Sequence, residues 1–285
     1  MLRETLENRF GAQLADAVPV SGGDINATYR LTLTDGTRIF MKANHSASSA
    51  FFQAEADGLA AIRDTGAIGV PAVITAGNDE RYGCFLLLEW IEAAPQKRDF
   101  WETFGHSLAK MHLADADHFG WKRDNYIGST PQVNTPHESW VTFFRDCRLA
   151  PQFKRAQHWF DTDMRRRVIR LMDHLSDWLV EPPRPSLLHG DLWSGNFITG
   201  ADDQAWLIDP AVYVGHAEAD LAMTELFGGF HPRFYAAYQE LNPLQAGYDE
   251  RRDLYNLYHL LNHLNLFGSG YLPPVERIIR RYAGR

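Results

Sequence analysis

Leu2, Leu6, Phe10 and Leu14 recur at four-residue intervals and predict an amphipathic N-terminal helix that ends near Val18-Pro19 and packs on a sheet. The stretch SGGDINATYRLTLTDGTRIFMK then alternates apolar and polar positions on either side of Asp35-Gly36, a dipeptide that supplies the positive backbone angles of a tight turn, so it reads as a β-hairpin. Over residues 50–64 the period lengthens to that of a helix, with Phe52, Leu59 and Ile62 on one face. Residues 70–76 and 82–91 read as two further strands, the second ending Leu88-Glu89-Trp90-Ile91 before the polar run EAAPQKRD. Beyond that break the pattern is mostly helical. Asp99 caps a helix that runs through His112 with Phe104, Leu108 and Met111 inward, and two more are expected over 138–149 and 164–179. EPPRPS is a proline-rich stop, SLLHGD a short strand, and AWLID at 205–209 is expected to pair with it. EADLAMTELFG, PRFYAAYQEL, RRDLYNLYHLLNHLNLF and PVERIIRRY complete a helical lower part, and no internal repeat is visible. The chain thus divides into a small β-rich part with one helix, residues 1–91, and a larger, mostly helical part, residues 92–285, in an α+β arrangement.

Composition narrows the class of molecule. With 285 residues, 45% hydrophobic and 22% charged, the chain has enough apolar surface for a substantial core and no low-complexity tract. The formal net charge of −8 sets an adverse field against a phosphate backbone, which argues against nucleic acid. Cys84 and Cys147 lie in apolar patterns and read as buried free thiols; two cysteines make neither a disulfide framework nor a four-ligand zinc site. MLRETLENRF carries charges where a signal peptide needs an apolar segment, and no stretch approaches the roughly 20 apolar residues of a membrane span. A cytoplasmic protein that is not integral to a membrane is expected.

The chemistry is carried by HGDLWSGN at 189–196. Asp191 stands five residues before Asn196, and Asp209 follows thirteen residues later at the end of the apolar run AWLID. That spacing has the form of a phosphotransfer site: magnesium needs hard oxygen ligands, which Asn196 and Asp209 offer, while Asp191 can orient an acceptor hydroxyl and take its proton. The plain alternative is a set of capping and turn residues around a buried strand pair. Glu55 falls on the apolar face of its helix, where a carboxylate requires a cation, and Lys42 at the end of the preceding strand is the nearest candidate. In kinases such a pair holds the lysine against nucleotide phosphates, the bland reading being two solvated charges. Gly22 and Gly23 in SGGDIN are placed to let backbone amides approach phosphate oxygens, although Gly-Gly is also a plain turn. Glu89 and Ile91 are placed at the adenine on position alone.

Several long strings carry a family resemblance: HGDLWSGN, IDPAVYVGHAEADLAMTELFGGF, LYNLYHLLNHLNLFGSGY, FGWKRDNYIGSTPQVN and SWVTFFRDCRLAPQF. Together they resemble the fructosamine kinase, or ketosamine-3-kinase, family nearly end to end. The resemblance implies a two-lobed protein-kinase-like fold shared with aminoglycoside phosphotransferases and choline kinases, with 1–91 the nucleotide-binding lobe and 92–285 the catalytic and substrate-binding lobe. It implies ATP and Mg2+ as cofactors, and phosphorylation of the 3-hydroxyl of a ketosamine, free or on a glycated lysine side chain, as a deglycation repair activity. The roles it implies are Lys42 to phosphates, Glu55 to Lys42, Asp191 as base, Asn196 and Asp209 to magnesium, and Gly22 and Gly23 in the phosphate-covering loop. Gly190 stands where protein kinases have arginine, Pro210 follows the metal aspartate, and ten residues separate Asp209 from Asp220, too few for a long activation loop. Asp220 is expected to bond back to the catalytic-loop backbone. Trp193 can stack on a sugar face or simply pack, and His216 can line the acceptor pocket or stand as a solvated loop histidine.

Competing readings remain open at this point. Within the fold, an aminoglycoside or choline kinase shares the same residues. From a different class, His259 and His263 stand four apart on a helix with zincin spacing, but the glutamate between them is missing and Tyr255, Tyr258 and Leu266 suggest helix packing. A catalytically dead nucleotide-binding module would bind ATP without turnover. The sequence leaves oligomeric state open.

Overall fold

A computed structural model of the chain describes residues 2–20 and 25–284. The expected phosphate-loop glycines, Gly22 and Gly23, lie outside the described residues. Contacts group the chain into two compact units, residues 1–100 with 198–209, and residues 101–197 with 210–285. The first therefore extends past the expected limit at 91 and regains a distant segment.

The first unit begins with α1 (Leu2–Phe10), which Gly11 ends. Leu14 does not continue that helix as its spacing suggested. It opens the edge strand β1 (Leu14–Pro19), antiparallel to β2 (Ala27–Leu33), because Gly11 at φ +65° breaks the helical register and Pro19 is tolerated on a strand with one unpaired edge. β2 and β3 (Arg38–Asn44) form the expected hairpin, and Gly36 at φ +88° supplies the turn that an L side chain would strain. β4 (Val73–Asp79) and β5 (Gly83–Glu89) complete an antiparallel sheet of order β1-β2-β3-β5-β4. β5 is inner and covered on both sides, which is why CFLLL is an unbroken buried run rather than an alternating one. Leu2 and Leu6 join Leu31, Leu33, Ile39, Met41, Phe85 and Leu87 in one core layer. α2 (Ser49–Asp64) packs on β4 and β5 with Phe52, Leu59 and Ile62 buried, the face its periodicity predicts.

The second unit is mainly helical. α3 (Phe100–His112) buries Phe104, Leu108 and Met111 as expected. A short hairpin, β6 (Asn125–Ile127) with β7 (Thr130–Gln132), follows. The helix expected over 138–149 is instead α4 (Trp140–Phe143), capped by Ser139 and running into a π-helical turn (Phe144–Leu149) and then α5 (Ala150–Ala156). The wider turn precedes Pro151, whose nitrogen cannot donate, and it carries Arg148 inward. α6 (Thr162–Asp173) stops short of the expected 179, where a 3-10 turn takes over.

One expected pairing is corrected. β8 (Ser186–Leu188) pairs with β11 (Tyr213–Gly215), while β10 (Ala205–Leu207) pairs with β9 (Phe197–Thr199). The intervening residues 200–204 close a local hairpin of β9 and β10, so AWLID is satisfied by its neighbour before SLLHGD can reach it. α7 (Glu218–Leu226), α8 (Pro232–Leu241), α9 (Tyr248–Phe267) and α10 (Leu272–Ala283) follow where the periodicity put them. Cys84 and Cys147 are buried free thiols, as expected. No helix among the described residues is long and apolar enough to cross a membrane.

Candidate active site

The first unit contains a buried charge cluster. Lys42 lies on β3 with its side chain 5% exposed and donates to Glu55 Oε1 on α2 at 2.6 Å, the pair that helix phase predicted. It also donates to Asp209 Oδ1. Asp209 reaches it because β10 is docked within the same unit, through a bridge between Trp206 and Gly69 and a Leu207 N–H bond to the Gly69 carbonyl. Asp209 sits at φ +57°, a left-handed conformation that aspartate tolerates better than most residues and that is found at functional sites. Burial alone would depress the Lys42 pKa, but the carboxylates of Asp209 and Glu55 outweigh it and hold the ammonium above its usual range. Burial pushes Glu55 up, and Lys42 only partly offsets it because Asp209 repels it. One cation thus faces two carboxylates, and the more exposed of them, Asp209, is the one open to a further cation.

The second unit holds the HGD loop. Asp220 on α7 is buried and accepts from the His189 N–H at 2.7 Å and the Gly190 N–H at 2.9 Å, the bond back to the loop that the sequence led us to expect. Its second support comes from His112 Nε2 at 3.2 Å. The Tyr238 hydroxyl accepts from Asn242 at 2.7 Å and so gives its own proton to His112 Nδ1 at 2.8 Å, which leaves the histidine proton on Nε2, facing Asp220. Burial would raise the Asp220 pKa, yet these donors, His112 first, bring it below the ordinary carboxylate value. Gly190 is at φ +82°, and a Cβ there would stand 2.1 Å from the Ala211 carbonyl oxygen, so only glycine fits where protein kinases carry arginine. The Ala211 N–H bonds the His189 carbonyl at 2.9 Å.

The loop places Asp191, with its side chain 22% exposed, beside Asn196. Asn196 Nδ2 donates to the Asp191 backbone oxygen at 2.7 Å and to its Oδ2 at 3.1 Å, so the amide oxygen is the end left to a cation. The amide oxygen of Asn196 in this unit, like the carboxylate of Asp209 in the first, is a hard donor of the kind magnesium takes and a soft metal does not. Trp193 is 37% exposed, with its ring edge-on to Phe227 at 6.2 Å. His216 is 3% exposed between Trp140 and Tyr255, and both its ring nitrogens are engaged, Nε2 with Gln245 at 2.8 Å and Nδ1 with the Glu218 N–H at 3.1 Å. It has no polar atom left for an acceptor, and it is not a solvated loop histidine. Glu89 closes β5 and accepts from the Ala72 N–H through its own carboxylate at 3.0 Å, and Ile91 follows half-buried. His263 bonds the His259 backbone carbonyl and packs among Phe227, Phe267 and Tyr271. That arrangement is helix packing, and no group of three or more histidine, cysteine, aspartate or glutamate side chains suited to a metal occurs among the described residues.

Several supports had no signal in a local pattern. The β6–β7 hairpin lies in the string FGWKRDNYIGSTPQVN, which carried the resemblance without a role. Asn125 Nδ2 bonds the Val212 carbonyl at 2.7 Å and Gln132 Nε2 bonds the Ala211 carbonyl at 3.0 Å, fixing the segment that holds the HGD loop. Arg148 stacks 3.8 Å from the Tyr213 ring and donates to Asn134 at 2.7 Å. Two buried polar side chains, Asn125 and Gln132, in a short strand pair were the available clue.

Comparison with known proteins places the chain. The model of the family described as fructosamine kinase matches residues 1–284. A protein of Synechocystis sp. named "Probable ketoamine kinase" is 42% identical over 268 residues, covering 92% of this chain and 88% of its own. The chloroplastic protein-ribulosamine 3-kinase of Arabidopsis thaliana is 40% identical over 274 residues, covering 95% and 83%. The crystal structure of a "Putative fructosamine-3-kinase" from Thermobifida fusca superposes with a TM-score of 0.88 at 36% identity, covering 100% of this chain and 98% of that one. The aminoglycoside phosphotransferase APH(4)-Ia, in a ternary complex with AMP-PNP and hygromycin B, shares the fold at a TM-score of 0.67 and 17% identity, covering 100% and 99%.

Proposed function

This chain belongs to the fructosamine kinase family, and from that premise we propose that it is an ATP-dependent ketosamine kinase, phosphorylating the 3-hydroxyl of a sugar rearranged onto an amine. A family match over residues 1–284 carries the reading, and it is supported by the buried Lys42–Glu55 pair and by the loop that sets Asp191 beside Asn196. Lys42, held charged by its two carboxylates, is suited to nucleotide phosphates, and Glu55 keeps it in place. Asp191 receives the proton of the acceptor hydroxyl as its oxygen attacks the terminal phosphorus of ATP, and the bond to the ADP oxygen breaks. Asn196 and Asp209 are the residues for magnesium, which when bound neutralises charge on the nucleotide phosphates. Trp193 offers an exposed indole face to a sugar ring. Phosphorylated ketosamines decompose and release the free amine, so the activity serves deglycation, with a free ketosamine or a glycated lysine side chain as acceptor.

The test is ATP consumption with fructosyl, ribulosyl and erythrulosyl amines, free and on a glycated protein, beside choline and kanamycin, with product position fixed by NMR. A 3-phosphorylated ketosamine is expected. Turnover with choline or kanamycin alone would replace this reading by the aminoglycoside or choline kinase one, and ATP binding without any turnover by a binding module.

A further inference from the structure

His259, on α9, is 3% exposed, and its Nδ1 is buried without a hydrogen-bond partner among the described residues. An orphaned nitrogen of this kind is costly unless it has a task. Nδ1 lies 3.8 Å from Oδ1 of Asp191, beyond a hydrogen bond and a small side-chain rotation short of one. The other carboxylate oxygen of Asp191 already accepts from Asn196. The two oxygens are thus bracketed by an amide on one side and an imidazole on the other.

We propose that His259 is a positioning residue for Asp191: its Nδ1–H closes onto Oδ1 as the carboxylate turns to meet the acceptor hydroxyl, and fixes the rotamer from which the proton is taken. The inference rests on Asp191 being the base. The ring is neutral, since burial and the neighbouring His263 and Arg148 outweigh Asp220 and bring its pKa down to about 3. A neutral ring next to a carboxylate carries its proton on the nitrogen that faces it. It can therefore donate without neutralising the base by proton transfer. His263, one turn along the helix, is tied to the His259 backbone carbonyl and leaves the ring nitrogen to Asp191.

Three substitutions separate this role from packing. His259→Phe keeps the ring and removes the donor; His259→Asn places an amide nitrogen near the Nδ1 position, and His259→Gln near that of Nε2. The expected result is a kcat reduced about 10- to 100-fold in the Phe and Gln variants, the worth of a hydrogen bond to a charged group, with KM for ATP and ketosamine within about 2-fold. The Asn variant should recover to within about 3-fold of the parent. Unchanged kcat in His259→Phe, or Asn performing no better than Gln at equal thermal midpoints, overturns the proposal; should the Phe variant fail to fold, the Asn and Gln pair decides. Asp191→Ala made in parallel tells which idea has failed. If it is inactive while His259→Phe is fully active, only the positioning role is lost; if it turns over normally, the base assignment falls and this inference with it.

Discussion

Lys42 and Asp191 sit in clusters built on opposite principles. Around Lys42 the contacts are ionic and overcrowded, with two carboxylates on one ammonium and one of them, Asp209, on a left-handed backbone. Around Asp191 they are directional hydrogen bonds: Asp220 holds two successive backbone N–H groups, His112 and Tyr238 hold Asp220, and Asn196 holds Asp191 itself. An excess of charge can be redistributed when phosphate and cation arrive, whereas a chain of satisfied donors resists displacement. The first cluster is suited to exchanging partners and the second to holding the loop backbone that carries Asp191.

The largest expected effect falls on the second cluster. Asp191→Ala should lower turnover by about 10²- to 10⁴-fold with ATP affinity largely intact, since a positioned acid–base group is worth that much and the loop backbone is held by Asp220 rather than by Asp191. Nucleotide titration alongside single-turnover rates checks both halves, and a large loss of ATP affinity would show that Asp191 belongs to the nucleotide site.

Stability should split the clusters next. Asp220→Ala strips two buried backbone donors and His112 of their acceptor, so urea unfolding should register a loss of about 3–5 kcal/mol. Asp209→Asn leaves the buried ammonium with Glu55 as its one anion, and because Asp209 itself is 37% exposed it should cost less, about 1–2 kcal/mol, while the proposed magnesium role predicts a loss of activity. Comparable destabilisation by both would erase the distinction. Lys42→Met lies between them: it leaves Glu55 and Asp209 facing each other, raising KM for ATP and costing about 2–4 kcal/mol by equilibrium unfolding.

How much of this was legible follows the same divide. Lys42 and Glu55 are 13 residues apart on adjoining elements, so strand end and helix phase sufficed to pair them. Asp191 and Asn196 were legible as neighbours because they stand five residues apart on one loop. The supports were not: His112 lies 108 residues from Asp220, and Gln132 lies 79 from Ala211, separations at which no periodicity relates two side chains. His259 was visible only as half of a histidine pair with metal-site spacing, and the structure reassigns it by the neighbour it faces across 68 positions of chain, 191 to 259. The misplaced AWLID pairing and the missed β1 have a common cause, since a three- to six-residue strand is decided by which partner closes first and not by its own pattern.

The smallest expected effect is a pH slope, and it too distinguishes the clusters. His259 is buried and neutral, with its pKa brought down to about 3 from an ordinary 6.5, so the unfolded chain binds a proton that the folded one refuses as pH drops below about 6.5. Stability from this group is therefore complete above that range and is lost on acidification, by about 1 kcal/mol between roughly pH 7 and 5.5. His216 and His263, both lowered by burial, act in the same direction, and Asp220, lowered as well, adds its loss from the ordinary aspartate value downward. Glu55 acts oppositely: its raised pKa means that the folded state holds a proton the unfolded chain has released, so its contribution weakens as pH rises above the ordinary glutamate value. His259→Asn should flatten the slope between about pH 7 and 5.5, and Glu55→Gln should remove the opposing trend that sets in as pH rises above the ordinary glutamate value. Unfolding midpoints of the three proteins across that span measure both, and an unaltered slope in His259→Asn would mean that the imidazole is accessible to protons in the folded state, which its burial between Asp191 and the α9 backbone forbids.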